Sequence, residues 1–121
     1  FTVRENDILA FVSDMIDWQR IRYVPVEDEK GKLIGMVTSR LLLRHYSKKA
    51  INSKALAKTV KDIMLKNPIT VTPDATVKEA IDLMMKNRIG CLPVVKEGIL
   101  IGIITEENFM NITNILLGKL R

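Results

Sequence analysis

The chain has 121 residues, 47% of them apolar and 27% charged, which suffices to bury a core and excludes a disordered segment. Its net charge of +5 invites nucleic acid, but aromatics are only 5% of residues and do not interleave with the lysines, so no platform for stacking bases is present. No apolar run reaches the roughly 18–20 residues needed to cross a bilayer, and no signal peptide is read.

In chain order, Thr2-Val3 reads as a short strand edge. Asn6 or Asp7 can cap a helix to about Arg20, whose apolar Leu9, Val12, Met15 and Ile16 recur at helical spacing. Trp18 reads as packing. Residues 21–26 form an apolar, β-branched strand, residues 27–31 a charged turn, and residues 33–37 the returning strand. Thr38 starts a helix through Leu41, Leu42 and Leu43 to about Tyr46. His45, the only histidine, has no companion at metal-ligand spacing, so no metal is expected. Residues 47–58 are polar and small, as a linker would be. Lys48, Lys49, Lys54, Lys58, Lys61 and Lys66 are spaced as a solvated face; Arg44, Lys48 and Lys49 could otherwise meet an acidic partner or membrane headgroups.

Thr59 with Asp62 caps a short helix over residues 59–66, turning Val60, Ile63 and Met64 inward. Asn67-Pro68 ends it, because the residue before proline is pushed out of helical conformation. Residues 69–72 are the next strand, and Pro73-Asp74 opens a helix from about Ala75 to Asn87. Residues 90–95 and 99–104 make a second hairpin. Thr105, trailed by Glu106 and Glu107, starts a last helix bearing Phe109, Ile112, Ile115 and Leu116. The sequon Asn111-Ile112-Thr113 reads as coincidence. Cys91, alone in an apolar strand, fits a reducing compartment.

The chain repeats itself. Residues 31–41 read Gly-Lys-Leu-Ile-Gly-Met-Val-Thr-Ser-Arg-Leu, and residues 98–108 read Gly-Ile-Leu-Ile-Gly-Ile-Ile-Thr-Glu-Glu-Asn. Pro25 and Pro93 lie 68 positions apart, as do Thr2 and Thr70, while Thr38 and Thr105 lie 67 apart. These landmarks divide the chain into a first repeat over residues 1–46, a linker over 47–58 and a second repeat over 59–121. Each repeat runs strand, helix, strand, turn, strand, helix. Such small, mostly antiparallel sheets with flanking helices bury their faces best together, about a pseudo-twofold axis, in an α+β fold.

Ile69-Thr70-Val71, Leu92-Pro93-Val94 and Gly102-Ile103-Ile104-Thr105 resemble the cystathionine-β-synthase (CBS) domain, and the two copies resemble the tandem pair called a Bateman module. A short helix usually precedes the first strand of such a domain. Its counterpart would lie ahead of Phe1, so the chain is expected to be a piece of a longer protein. The resemblance implies regulation rather than catalysis, in a cytoplasmic protein or on the cytosolic face of a membrane protein. Such pairs are sensors attached to enzymes, channels or transporters. They bind AMP, ADP, ATP or S-adenosylmethionine in clefts between the halves and commonly form homodimers. No other cofactor is expected.

The resemblance places the favoured cleft at Ile69, Thr70, Cys91, Leu92, Pro93, Thr105 and Asn108, and a weaker one at Thr2, Tyr23, Pro25, Thr38, Ser39 and Arg40. Each threonine would offer a hydroxyl and helix-start N–H groups to phosphate. In the family, an aspartate three residues after the threonine accepts from the ribose hydroxyls. Here that position holds Leu41 and Asn108. Leucine cannot accept, and losing a hydrogen bond to a charged acceptor removes roughly 1.5–3 kcal/mol, or one to two orders of magnitude in affinity. Asparagine keeps a carbonyl acceptor. Ser39-Arg40 would welcome an anion whereas Glu106-Glu107 would repel one, so the favoured cleft should prefer adenosine or S-adenosylmethionine. The alternative is a degenerate pair kept for dimerisation or domain packing. A small enzyme finds no support, since no paired carboxylate, Ser/His or Cys/His set emerges.

Overall fold

The computed structural model describes residues 1–19, 21–49 and 59–108. The readings placed on the Trp18 side chain, on residues 50–58 and on residues 109–121 lie outside the described residues. The chain divides into two compact units, residues 1–68 and 69–121.

The first unit contains α1 (Leu9–Gln19), β1 (Tyr23–Glu27), β2 (Leu33–Thr38), α2 (Ser39–Lys49), α3 (Val60–Ile63) and β3 (Leu65–Lys66). Asp7 accepts from the Arg4 N–H at 2.8 Å, tightening the turn that leads into α1. The helical period then places Leu9, Val12 and Ile16 in the core. Between β1 and β2, Asp28 Oδ1 accepts from the N–H groups of Lys30 and Lys32 at 2.8 and 3.0 Å, and Gly31 takes a positive φ of 81°. Those contacts make the charged turn an Asx-type corner. The hairpin pairs Val24 with Val37 and Val26 with Gly35, and Val3 lies parallel to β1 through a bridge to Val26. Thr38 Oγ1 accepts from Leu41 N at 3.1 Å and so caps α2. That helix runs to Lys49, past the expected end near Tyr46.

Residues 59–66 are not one short helix. The helical turn covers only Val60–Ile63; Met64 turns extended at φ −59° and ψ 144°, and Leu65–Lys66 pair antiparallel with β2, Leu65 opposite Met36 and Lys66 opposite Gly35. The inward set holds: Val60 is fully buried, with Ile63 and Met64 packed against the same core. The segment is pinned to the first unit by Val60 N–H donating to Asp7 O at 3.0 Å and Lys61 N–H donating to Glu5 O at 2.8 Å. Residues that the sequence repeat counts with the second copy therefore complete the sheet of the first unit.

The second unit contains α4 (Val77–Asn87), β4 (Cys91–Lys96) and β5 (Ile99–Thr105), with Val71 bridged parallel to Val94. Helix α4 begins two residues later than expected. Thr76 and Glu79 form a reciprocal capping box, with Glu79 N–H donating to Thr76 Oγ1 at 3.1 Å and Thr76 N–H donating to Glu79 Oε2 at 3.3 Å. Asp74 instead accepts from the Thr72 hydroxyl, an interaction that lowers its carboxyl below the usual value. Arg88 closes the helix in left-handed conformation. Gly98, at φ 83°, turns the second hairpin, which pairs Leu92 with Ile104 and Val94 with Gly102. Val71, Ala80, Met84 and Leu92 form its core. Among the described residues no helix is long and apolar enough to cross a membrane.

Candidate ligand-binding site

In each unit one strand candidate and the candidate threonine meet at a corner, where the second hairpin strand runs into a helix. In the second unit Cys91 and Thr105 face each other across the ladder, and Glu106 N–H donates to Gly90 O at 3.0 Å. In the first, Tyr23 faces Thr38, and Ser39 N–H donates to Arg22 O at 2.9 Å. The corner is the same construction twice.

Asn108 is fixed in a particular way. Its Oδ1 accepts from the Thr105 backbone N–H at 2.8 Å and lies 3.3 Å from the Thr105 hydroxyl, which donates to it. A backbone N–H can bond only to the carbonyl end of the amide, so the side-chain oxygen caps the helix. The other end of the amide, the Asn108 NH₂, can only donate. A carboxylate at this position could cap with one oxygen and present the other; the amide cannot. Leu41 contributes only its backbone N–H, to Thr38 Oγ1.

The remaining candidates fall into two groups. Leu92 and Pro93 are fully buried and Cys91 nearly so, which leaves their side chains as walls and core. The Pro93 carbonyl accepts from Val71 N–H at 3.1 Å. Ile69 is exposed and Thr70 half-buried beside that bridge. In the first unit Pro25 is buried, Tyr23, Thr38 and Ser39 are half-buried, and Arg40 is exposed. Thr2 donates its hydroxyl to Glu27 at 2.9 Å, tying the chain start to the end of β1.

Electrostatics at the corners are uneven. Arg40 stands in the first turn of α2, whereas exposed Glu106 and Glu107 come directly after Thr105. Burial pushes the Cys91 thiol up to about 12, so it is protonated near neutrality and is a poor nucleophile. Among the described residues no group of His, Cys, Asp and Glu could hold a metal ion.

One surface was not anticipated from sequence. A groove of about 650 Å³ runs between α1 and α2, lined by Ala10, Ser13, Ile16, Leu42, Leu43 and Tyr46 among others. Of the candidate residues only Ser39 reaches it. Ser13 and Tyr46 share a hydroxyl–hydroxyl bond of 3.0 Å across it, and Leu43 and neighbouring Phe11 are each 70% exposed. Two large apolar residues outside the inward stripes of α1 and α2 were the available signal.

The CBS-domain family model matches residues 1–48 and 60–113, and the chain belongs to that family as a tandem pair, or Bateman module. It is 37% identical over 110 residues to inosine-5'-monophosphate dehydrogenase of Methanocaldococcus jannaschii, covering 90% of this chain but 21% of that enzyme. Its fold is similar to that of CBSX2, crystallised in complex with AMP, at a TM-score of 0.85 and 25% identity, covering 96% of this chain and 88% of the other. The CBS domain pair of protein MJ0100, crystallised with 5'-methylthioadenosine and S-adenosyl-L-methionine, superposes at a TM-score of 0.79 with 26% identity, covering 93% and 91%.

Proposed function

We propose that the chain is a regulatory, non-catalytic module that binds an adenosine compound and reports its concentration to a larger protein. The observation that carries this is the match, over nearly the whole chain, to CBS pairs crystallised with AMP and with 5'-methylthioadenosine and S-adenosyl-L-methionine. The parent is of the kind represented by the dehydrogenase, of which this chain matches about a fifth. The favoured nucleoside position is the second-unit corner, with Ile69, Thr70 and Cys91 as wall and the Asn108 NH₂ donating to a ribose hydroxyl. With Glu106 and Glu107 at that corner, the order of affinity is adenosine or S-adenosylmethionine, then AMP, then ATP. Calorimetric titration of the four compounds tests both parts. Binding with decreasing affinity from adenosine to ATP supports the reading; equal affinities reject the charge argument, and no binding by any of them rejects the sensor.

A second reading, self-association, rests on the α1–α2 groove. Among the described side chains, α1 carries the acid Asp14 and α2 carries the bases Arg40 and Arg44, besides His45. Two copies meeting α1 to α2 would cover Phe11 and Leu43 and place opposite charges together. Such a homodimer is compatible with ligand binding at the corners.

A further inference from the structure

Proline sets the parity of both hairpins. Pro25 and Pro93 have no N–H to give, and each turns its carbonyl outward, accepting from Val3 N–H and Val71 N–H at 3.1 Å. The pairs Pro25–Met36 and Pro93–Ile103 are therefore non-hydrogen-bonded, and the ladder bonds fall on Val24–Val37 and Leu92–Ile104. One step further, Tyr23–Thr38 and Cys91–Thr105 are non-hydrogen-bonded again. The bonds from Ser39 N–H to Arg22 O and from Glu106 N–H to Gly90 O supply the following step, as the alternation requires. Non-hydrogen-bonded partners are the close ones, with Cα atoms about 4.5 Å apart and side chains on one face of the sheet. Val24, Val37 and Leu92 belong to the cores under the helices, and Ile104 packs on the second of them. Tyr23, Thr38, Cys91 and Thr105 consequently lie on the opposite face.

What stands beside each threonine differs between the units. Next to Thr105 the partner ends in a single sulfur atom, that of Cys91. Next to Thr38 it is the half-buried Tyr23, which carries a whole phenol ring. The residue three positions on differs as well. Asn108 brings a polar amide to Thr105, whereas Leu41 brings only its backbone N–H to Thr38.

We propose that Tyr23 occupies the first corner in place of a base, so that each chain takes one adenosine compound, at the second corner. The inference rests on the adenosine reading of that second corner and adds which corner is shut, and by which side chain. Magnitude separates the two substitutions. Losing the ribose acceptor through Leu41 alone would leave a weak site, one or two orders of magnitude down. A ring standing where the base must lie removes the site, because steric overlap rejects a ligand in a way that a missing hydrogen bond does not. Tyr23 is thus the specificity-determining residue of the first corner, and Leu41 reinforces it.

The test counts adenosine molecules per chain by calorimetric titration under reducing conditions, on the unmodified chain, on Leu41→Asn, and on Tyr23→Cys with Leu41→Asn. The double variant gives the first corner the two residues of the second. The unmodified chain and Leu41→Asn should each bind about one adenosine, and the double variant about two. Two per unmodified chain overturns the proposal whatever the variants do. So does a second site in Leu41→Asn, which would show that Tyr23 is no barrier. So does an unchanged count in a double variant that still melts cooperatively. The adenosine reading fails separately: if the unmodified chain binds none while the double variant binds one, the second corner is not the nucleoside site but Tyr23 still shuts the first.

Discussion

At Asn108 a single atom decides what the site can offer. The side-chain oxygen holds the Thr105 N–H, and the other end of the amide can only donate. Replacing Asn108 with Asp keeps the cap and adds an acceptor for ribose. Adenosine affinity should rise about tenfold, with AMP gaining less because a third carboxylate joins Glu106 and Glu107. Calorimetry on the N108D chain checks this; unchanged adenosine affinity would reject the assigned pose. Cys91 gives a pH prediction. Its thiol titrates near 12 when folded against a reference of 9.0, so above pH 9 the unfolded chain loses a proton that the native one keeps. Stability contributed by this group is therefore constant below pH 9 and falls between 9 and 12. Denaturant melts across that range should show the decline, and Cys91→Ala should reduce it. The i, i+3 pairing of Thr105 with Asn108 was legible in the sequence. Which end of the amide is engaged by the Thr105 N–H was not, because backbone geometry at the corner sets it.

Elements with a clear period were found from the sequence nearly to the residue: β2 starts at Leu33 and α4 ends at Asn87, as read. Those without one were not. Leu65–Lys66 is two residues long, and its strand state depends on Met36, some thirty positions away in sequence. No local pattern encodes such a partner. The helix starting at Val77 rather than Ala75 was missed because the Thr76–Glu79 box outcompeted the proline start. The two inner glycines, identical in sequence, make contrasting predictions. Gly35→Ala must displace the Met64 sulfur and crowd Leu65 O, and should lower stability by about 1–2 kcal/mol. Gly102→Ala meets ordinary contact and should stay within about 0.5 kcal/mol of the parent. Urea unfolding of both variants tests the pair; equal losses would mean that β3 does not bear on Gly35 in solution.

For the whole molecule the sequence repeat revealed the duplicated α+β plan, and the family match agrees. The α1–α2 groove was hidden because it lies between elements rather than within one. If that groove is a self-association face, Leu43→Glu should shift the chain towards monomer, at least about tenfold in dissociation constant, in sedimentation equilibrium. It should leave adenosine binding within about twofold, since Leu43 is not among the corner residues. An unchanged sedimentation profile would remove the groove from the association surface.

The crossing of residues 59–66 onto the earlier sheet bears on how the protein is made. During translation the amino-terminal unit cannot close its outer edge until Lys66 has been added and released from the ribosome, although its own repeat ended many codons before. Maturation of the first half thus waits on the opening of the second, and a stop codon placed at the apparent boundary near residue 58 would strand a hairpin with Val60 and its last strand missing.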